Sequence, residues 1–87
     1  MNENRFIGLL FKNKSVKLMN VFEIDLEVPY DKKGEVIRKL AYMVRGKVKK
    51  AKLLPPDMFG RSRIILDLEI DKKTMGNIIN EIKSLSH

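Results

Sequence analysis

Two stretches of this chain run on a two-residue beat: Phe22-Glu23-Ile24-Asp25-Leu26-Glu27-Val28 and Ile64-Ile65-Leu66-Asp67-Leu68-Glu69-Ile70. Successive side chains of a β-strand point to opposite faces, so this period makes strands with one apolar face to bury and one charged face to leave wet. Each stretch is followed by Asp-Lys-Lys (residues 31–33 and 71–73) and then by apolar residues at helical spacing. The chain therefore reads as two copies of one strand–helix unit. That repeat points to an α+β arrangement, a sheet roofed on one side by helices.

Taken in order, the spacing predicts a strand over 21–28, stopped by Pro29, which cannot continue a ladder. Asp31 is placed to cap a helix over 32–45, whose apolar face is Val36, Ile37, Leu40, Ala41 and Val44, with Gly46 at its stop. A strand over 47–54 follows. Its lysines (Lys47, Lys49, Lys50 and Lys52) mark a guarded edge, and its broken alternation predicts a bulge near Lys49 and Lys50. Residues 55–62 form a hairpin loop with Met58 and Phe59 at its tip, which either fold back on the core or meet a partner. The third strand covers 63–70. A last helix over 72–85 is capped by Asp71 and buries Met75, Ile78, Ile79, Ile82 and Leu85.

Strand–helix–strand–strand–helix is the ferredoxin-like βαββα two-layer sandwich: an antiparallel sheet with two helices on one face, short of its last strand. In that layout the 21–28 and 63–70 strands are central. The place beside 21–28 is filled either by the N-terminal segment or by another subunit. The chain thus divides into residues 1–20, an extra strand or docked arm, and a domain over 21–87. Within the arm, Phe6, Ile7, Leu9 and Leu10 need something to bury against, while Met19 makes part of it look dispensable.

The chain has no Cys, and its one His is the last of 87 residues, so neither thiol nor imidazole chemistry is expected. No nucleophile–base pair, metal cluster or phosphate loop stands out, which predicts a non-catalytic protein without a cofactor. The strand carboxylates Glu23, Asp25, Glu27, Asp67 and Glu69 repeat about 6.6 Å apart along a strand, too splayed for a metal cage. They are expected instead to pair across the hairpin, Lys50 and Lys52 with Asp67 and Glu69. No apolar run approaches a membrane span, and Phe6 to Phe11 is too short for a signal peptide; the expectation is a cytoplasmic protein. The net charge is +7, and between Lys32 and Arg63 the only acids are Glu35 and Asp57. This balance admits Lys-rich solubility on one hand. On the other it admits an electrostatic RNA contact along Lys47, Lys49, Lys50, Lys52, Arg61 and Arg63.

Asp31-Lys32-Lys33-Gly34 lies directly after a strand and opens a helix. Here residues 21–85 resemble the ACT family of small regulatory domains, which carry an Asp-x-x-Gly turn at this junction. They are also similar to the related NIL-type domains, through the Phe59-Gly60 turn before the third strand. The resemblance implies a homodimer or higher oligomer that binds an amino acid between this turn and a neighbouring copy's edge strand. Carried over by position, the site is Tyr30, Asp31, Lys33 and Gly34, with Val48 and Lys50 supplied by the neighbour. The chain departs from the family in having Lys-Lys where Arg-Pro is common. A further similarity, to the small dimeric subunit of the tRNA threonylcarbamoyl-modifying complex, implies a role in complex assembly.

Overall fold

The alternating stretches pair with each other at the centre of one antiparallel sheet. The computed structural model describes residues 7–85; Phe6 and His87 lie outside them. The elements are β1 (Gly8–Asn13), β2 (Val21–Pro29), a 3-10 turn (Tyr30–Lys32), α1 (Lys33–Met43), β3 (Val48–Leu54), β4 (Arg61–Glu69) and α2 (Lys72–Ser84). The sheet order is β1-β2-β4-β3. The architecture is thus four antiparallel strands and two helices, and the leading β1 makes it more than a plain βαββα.

The register follows from the alternation. Ile24 stands opposite Leu66 and Leu26 opposite Ile64, so the apolar beats coincide on one face. Ile24, Leu26 and Leu68 are fully buried there. Val36, Leu40 and Val44 from the first helical segment and Met75, Ile78, Ile79 and Ile82 from α2 close over them in a single core. The N-terminal segment takes the flank of β2: Leu9 pairs with Leu26 and Phe11 with Ile24. Ile7, just before β1, is 3% exposed and belongs to the core, so this segment is an integral strand. The chain from Asn13 to Val21 turns back through a Val16–Met19 bridge, with Lys17 at φ +54°.

The expected bulge is present. The β3–β4 register shifts between Val48 and Lys50, and β3 is an edge strand, paired with β4 alone. Two helix ends differ from expectation. Asp31 does not cap α1: Pro29 leads into the 3-10 turn, the helix proper begins at Lys33, and its N-cap position, Lys32, makes no side-chain cap bond. At the other end α1 stops at Met43, short of the predicted 45, and Gly46 reverses the chain at φ +75°. By contrast Asp71 caps α2 as expected, its carboxylate accepting the Thr74 N–H at 2.8 Å. A hydrogen bond from the Thr74 side chain, and then the one from its N–H, hold the Asp71 carboxyl below the usual carboxylate range.

One polar side chain is out of place in the core. Ser62, opposite Val28 on the apolar face, is 0% exposed, and its hydroxyl has no hydrogen-bond partner among the described residues. An unpaired buried hydroxyl costs stability, and the smaller methyl of alanine carries no such penalty. Ser62→Ala is therefore expected to raise the unfolding free energy by about 1 kcal/mol. Urea titration at unchanged slope checks this, and a loss of similar size would mean the hydroxyl is paired.

Candidate ligand turn and the open sheet face

The sheet face away from the helices is not the bare acidic surface its strands suggest. Glu23 of β2 stands directly opposite Asp67 of β4, an unfavourable like-charge pair. Lys14, from the β1–β2 connection, sits between them with its ammonium 3.3 Å from Glu23 and 3.1 Å from Asp67. Its hydrogen bond to Asp67, and then that to Glu23, raise the Lys14 pKa. Arg63 pairs diagonally with Asp25, which raises its own pKa, and Arg61 pairs diagonally with Glu27 at 3.5 Å. Arg61 also donates to the Glu27 backbone carbonyl at 2.8 Å. Lys49 reaches Glu69 at 3.4 Å. The face is a lattice in which each strand acid meets a cation.

This corrects the expected pairing of Lys50 and Lys52 with Asp67 and Glu69. Lys50 does lie opposite Asp67 in register, but the Asp67 carboxylate is turned to Lys14 and Glu69 is taken by Lys49 at the bulge. Lys50 and Lys52 make no ion pair among the described residues. With Lys14, Glu23, Ile65 and Asp67 they line an open groove of about 440 Å³. Of the residues considered for a nucleic-acid contact, Arg61, Arg63 and Lys49 are thus held in pairs within the sheet. Lys47, Lys50 and Lys52 remain along the β3 edge. Among the described residues no group of three or more His, Asp or Glu converges to hold a metal ion, and no helix is long and apolar enough to cross a membrane.

The 30–34 turn brings four of the six expected ligand residues together. Tyr30 is 58% exposed, and its N–H donates to the Gly60 carbonyl at 2.9 Å, tying the turn to the β3–β4 loop. The Lys33 ammonium lies 5.8 Å from the Tyr30 ring centroid, in cation–π range. Asp31 and Gly34 are exposed, and the space about Gly34 is open. Val48 and Lys50 are not part of this group. Val48 stands opposite Leu68, which stands opposite Phe22, at the far end of β2 from Tyr30. Within one chain they cannot reach the turn; only a second copy could bring them there.

The hairpin loop was legible as a loop but not in its geometry. The Asp57 carboxylate accepts the N–H groups of Phe59 at 2.9 Å and Arg61 at 3.0 Å, and Gly60 turns at φ +77°. The Arg61 bond, chiefly, holds the Asp57 carboxyl below its ordinary range. This Asx-type turn fixes the loop and presents Met58 and Phe59 outward, 87% and 74% exposed. They do not fold back on the core. The signal was in the sequence: Pro-Pro-Asp ahead of Gly is turn chemistry whatever the apolar tip suggests.

No family model, curated protein or solved structure matches the chain.

Proposed function

We propose that the chain is a non-catalytic, ferredoxin-like regulatory domain of ACT-like type, a cytoplasmic homo-oligomer that binds a small carboxylate or amino acid at the 30–34 turn. The β1-β2-β4-β3 order supports the ferredoxin-like reading, because β1 takes the flank that the closing strand of that fold would occupy. The observation that carries the ligand reading is the contrast between the two helix starts. α2 is closed by its own carboxylate, whereas α1 begins without a side-chain cap and has Lys32 and Lys33 beside it. Cations at a helix N-terminus are unfavourable there unless an anion joins them. Tyr30, Asp31, Lys33 and Gly34 would hold the ligand, with Val48 and Lys50 of a neighbouring copy closing the site. Binding would favour one subunit arrangement over another, which is how such a module regulates.

Isothermal calorimetry with a panel of amino acids tests this. Saturable heat is expected for at least one, weakened about tenfold or more by Lys33→Ala, in line with loss of one charge-assisted contact. Silence across the panel from folded protein rejects the ligand.

A second reading is favoured by the loop tip and the unpaired edge lysines: a complex-assembly or RNA-contacting protein that uses Met58, Phe59, Lys47, Lys50 and Lys52. It predicts retention on RNA that falls steeply with salt.

A further inference from the structure

The sheet has two edges, and they are chemically unlike. β3 carries Lys49, Lys50 and Lys52 along its length, the usual guard against another strand. β1, Gly8-Leu-Leu-Phe-Lys-Asn13, carries a single lysine, Lys12, near its end, with its ammonium 4.0 Å from Glu23 of the same chain. Among the described residues nothing pairs with its outer edge, yet Leu10 is 72% and Phe11 53% exposed. The β1–β2 register places Leu9 and Phe11 on the helix-covered face and Gly8, Leu10 and Lys12 on the open face.

We propose that two copies of this chain join through β1, antiparallel about a two-fold axis at Leu10, merging their sheets into one. The inference rests on the homo-oligomeric part of the proposed function and not on its ligand, because this pairing leaves β3 on the outer edges, where Val48 and Lys50 do not reach the other copy's 30–34 turn. Keeping the helices of both copies on one side requires open-face residues to oppose open-face residues. The axis can then fall on Leu10, Phe11 or Lys12 near the middle of the strand. An axis at Lys12 sets two ammonium groups against each other, and one at Phe11 sets Leu10 against a lysine. The axis at Leu10 alone matches like with like. Leu10 meets Leu10 of the partner subunit on the open face. Leu9 meets Phe11 of the partner subunit on the helix face, twice, and so extends the core over the exposed ring.

Charge selects the same register. With the axis at Leu10, the partner's Lys12 lies opposite Gly8. Gly8 has no side chain, and the Glu27 side chain leans over it, with Cβ 3.4 Å and Oε1 3.8 Å from where a Cβ would stand. The hollow there, about 340 Å³, is lined by Gly8, Leu9, Leu10, Asp25, Glu27 and Arg63. Across it the partner's Lys12 reaches Glu27, whose carboxylate is otherwise half exposed beside Arg61. The symmetric contact repeats the pair.

Sedimentation equilibrium of the full chain is expected to give twice the chain mass. Because the chain has no Cys, single cysteines report the register. Oxidised Leu10→Cys is expected to run as a covalent dimer, and Phe11→Cys and Lys52→Cys as single chains. Leu10→Lys is expected to sediment as a monomer with unchanged far-UV circular dichroism. A wild-type protein of single-chain mass overturns the pairing, and leaves the amino-acid titration to judge the ligand on its own. Cross-linking at Phe11→Cys or Lys52→Cys but not at Leu10→Cys overturns it equally, as does a Leu10→Lys variant that stays dimeric.

Discussion

A chain begun at Met19 is expected to show no cooperative thermal transition and to aggregate. It lacks β1, which pairs along β2 from Gly8–Glu27 to Asn13–Phe22. Removing β1 exposes the flank of a central strand, a template for uncontrolled pairing. It also removes Ile7 from the core, a burial worth about 2 kcal/mol. Each lost ladder hydrogen bond adds about 1 kcal/mol. The Lys14 bridge between Glu23 and Asp67 goes as well, as does the Ser15 hydroxyl that accepts the Val21 N–H at 3.1 Å. Domains of this length hold a margin of only about 5–13 kcal/mol in total. Differential scanning calorimetry decides the matter. A sharp transition within a few degrees of the full chain would mean that β1 is an accessory and that the sheet stands on three strands.

Leu26→Ala is expected to lower the melting temperature by about 12–25 °C. Leu26 is 0% exposed, with Leu9 on one side in the sheet and Ile64 on the other. Every neighbour is held by its own strand and cannot move in to fill the gap, so the loss includes the cavity as well as the transfer term, about 3 kcal/mol. For a domain of this size each kcal/mol moves the transition by about 4–8 °C. Leu53→Ala is the control: the same deletion at a 53% exposed edge position, expected to stay within about 0.5 kcal/mol of the parent. Equal shifts for the two variants would place the core elsewhere.

The central pair was legible because Phe22, Ile24, Leu26 and Val28, and Ile64, Leu66 and Leu68, each state a period of two with no competing period. Both helices were legible for the complementary reason, and the β3 bulge because Ala51 and Leu53 share a phase that Val48 does not. β1 was not. Its Leu9-Leu10-Phe11 run is apolar on both faces, so it has no period, and its turn uses Lys17 rather than a glycine at positive φ. The Asp31 cap was misread because Asp71 teaches the same Asp-Lys-Lys pattern. At the first site Pro29 sets a 3-10 turn before the helix, and the aspartate falls inside that turn. The charge lattice was hidden because its cations come from afar in sequence. Lys14 reaches Asp67, and Arg63 reaches Asp25, neither across the β3–β4 hairpin. The candidate turn was legible as a cluster at Tyr30, Asp31, Lys33 and Gly34, since these are neighbours in the chain. Val48 and Lys50, expected from a neighbouring copy, lie at the other end of the sheet within one chain.

The lattice on the open face also settles something the greasy face leaves ambiguous. A uniform beat of two permits β2 and β4 to slide past each other by two residues with their oily sides still matched. Sliding one way would set Asp25 against Asp67 and Glu23 against Glu69, acid against acid, while sliding the other way would set Arg63 directly opposite Asp25. The carboxylates therefore act as a pawl on a rack, blocking one of the two slips that the hydrophobic residues alone would accept.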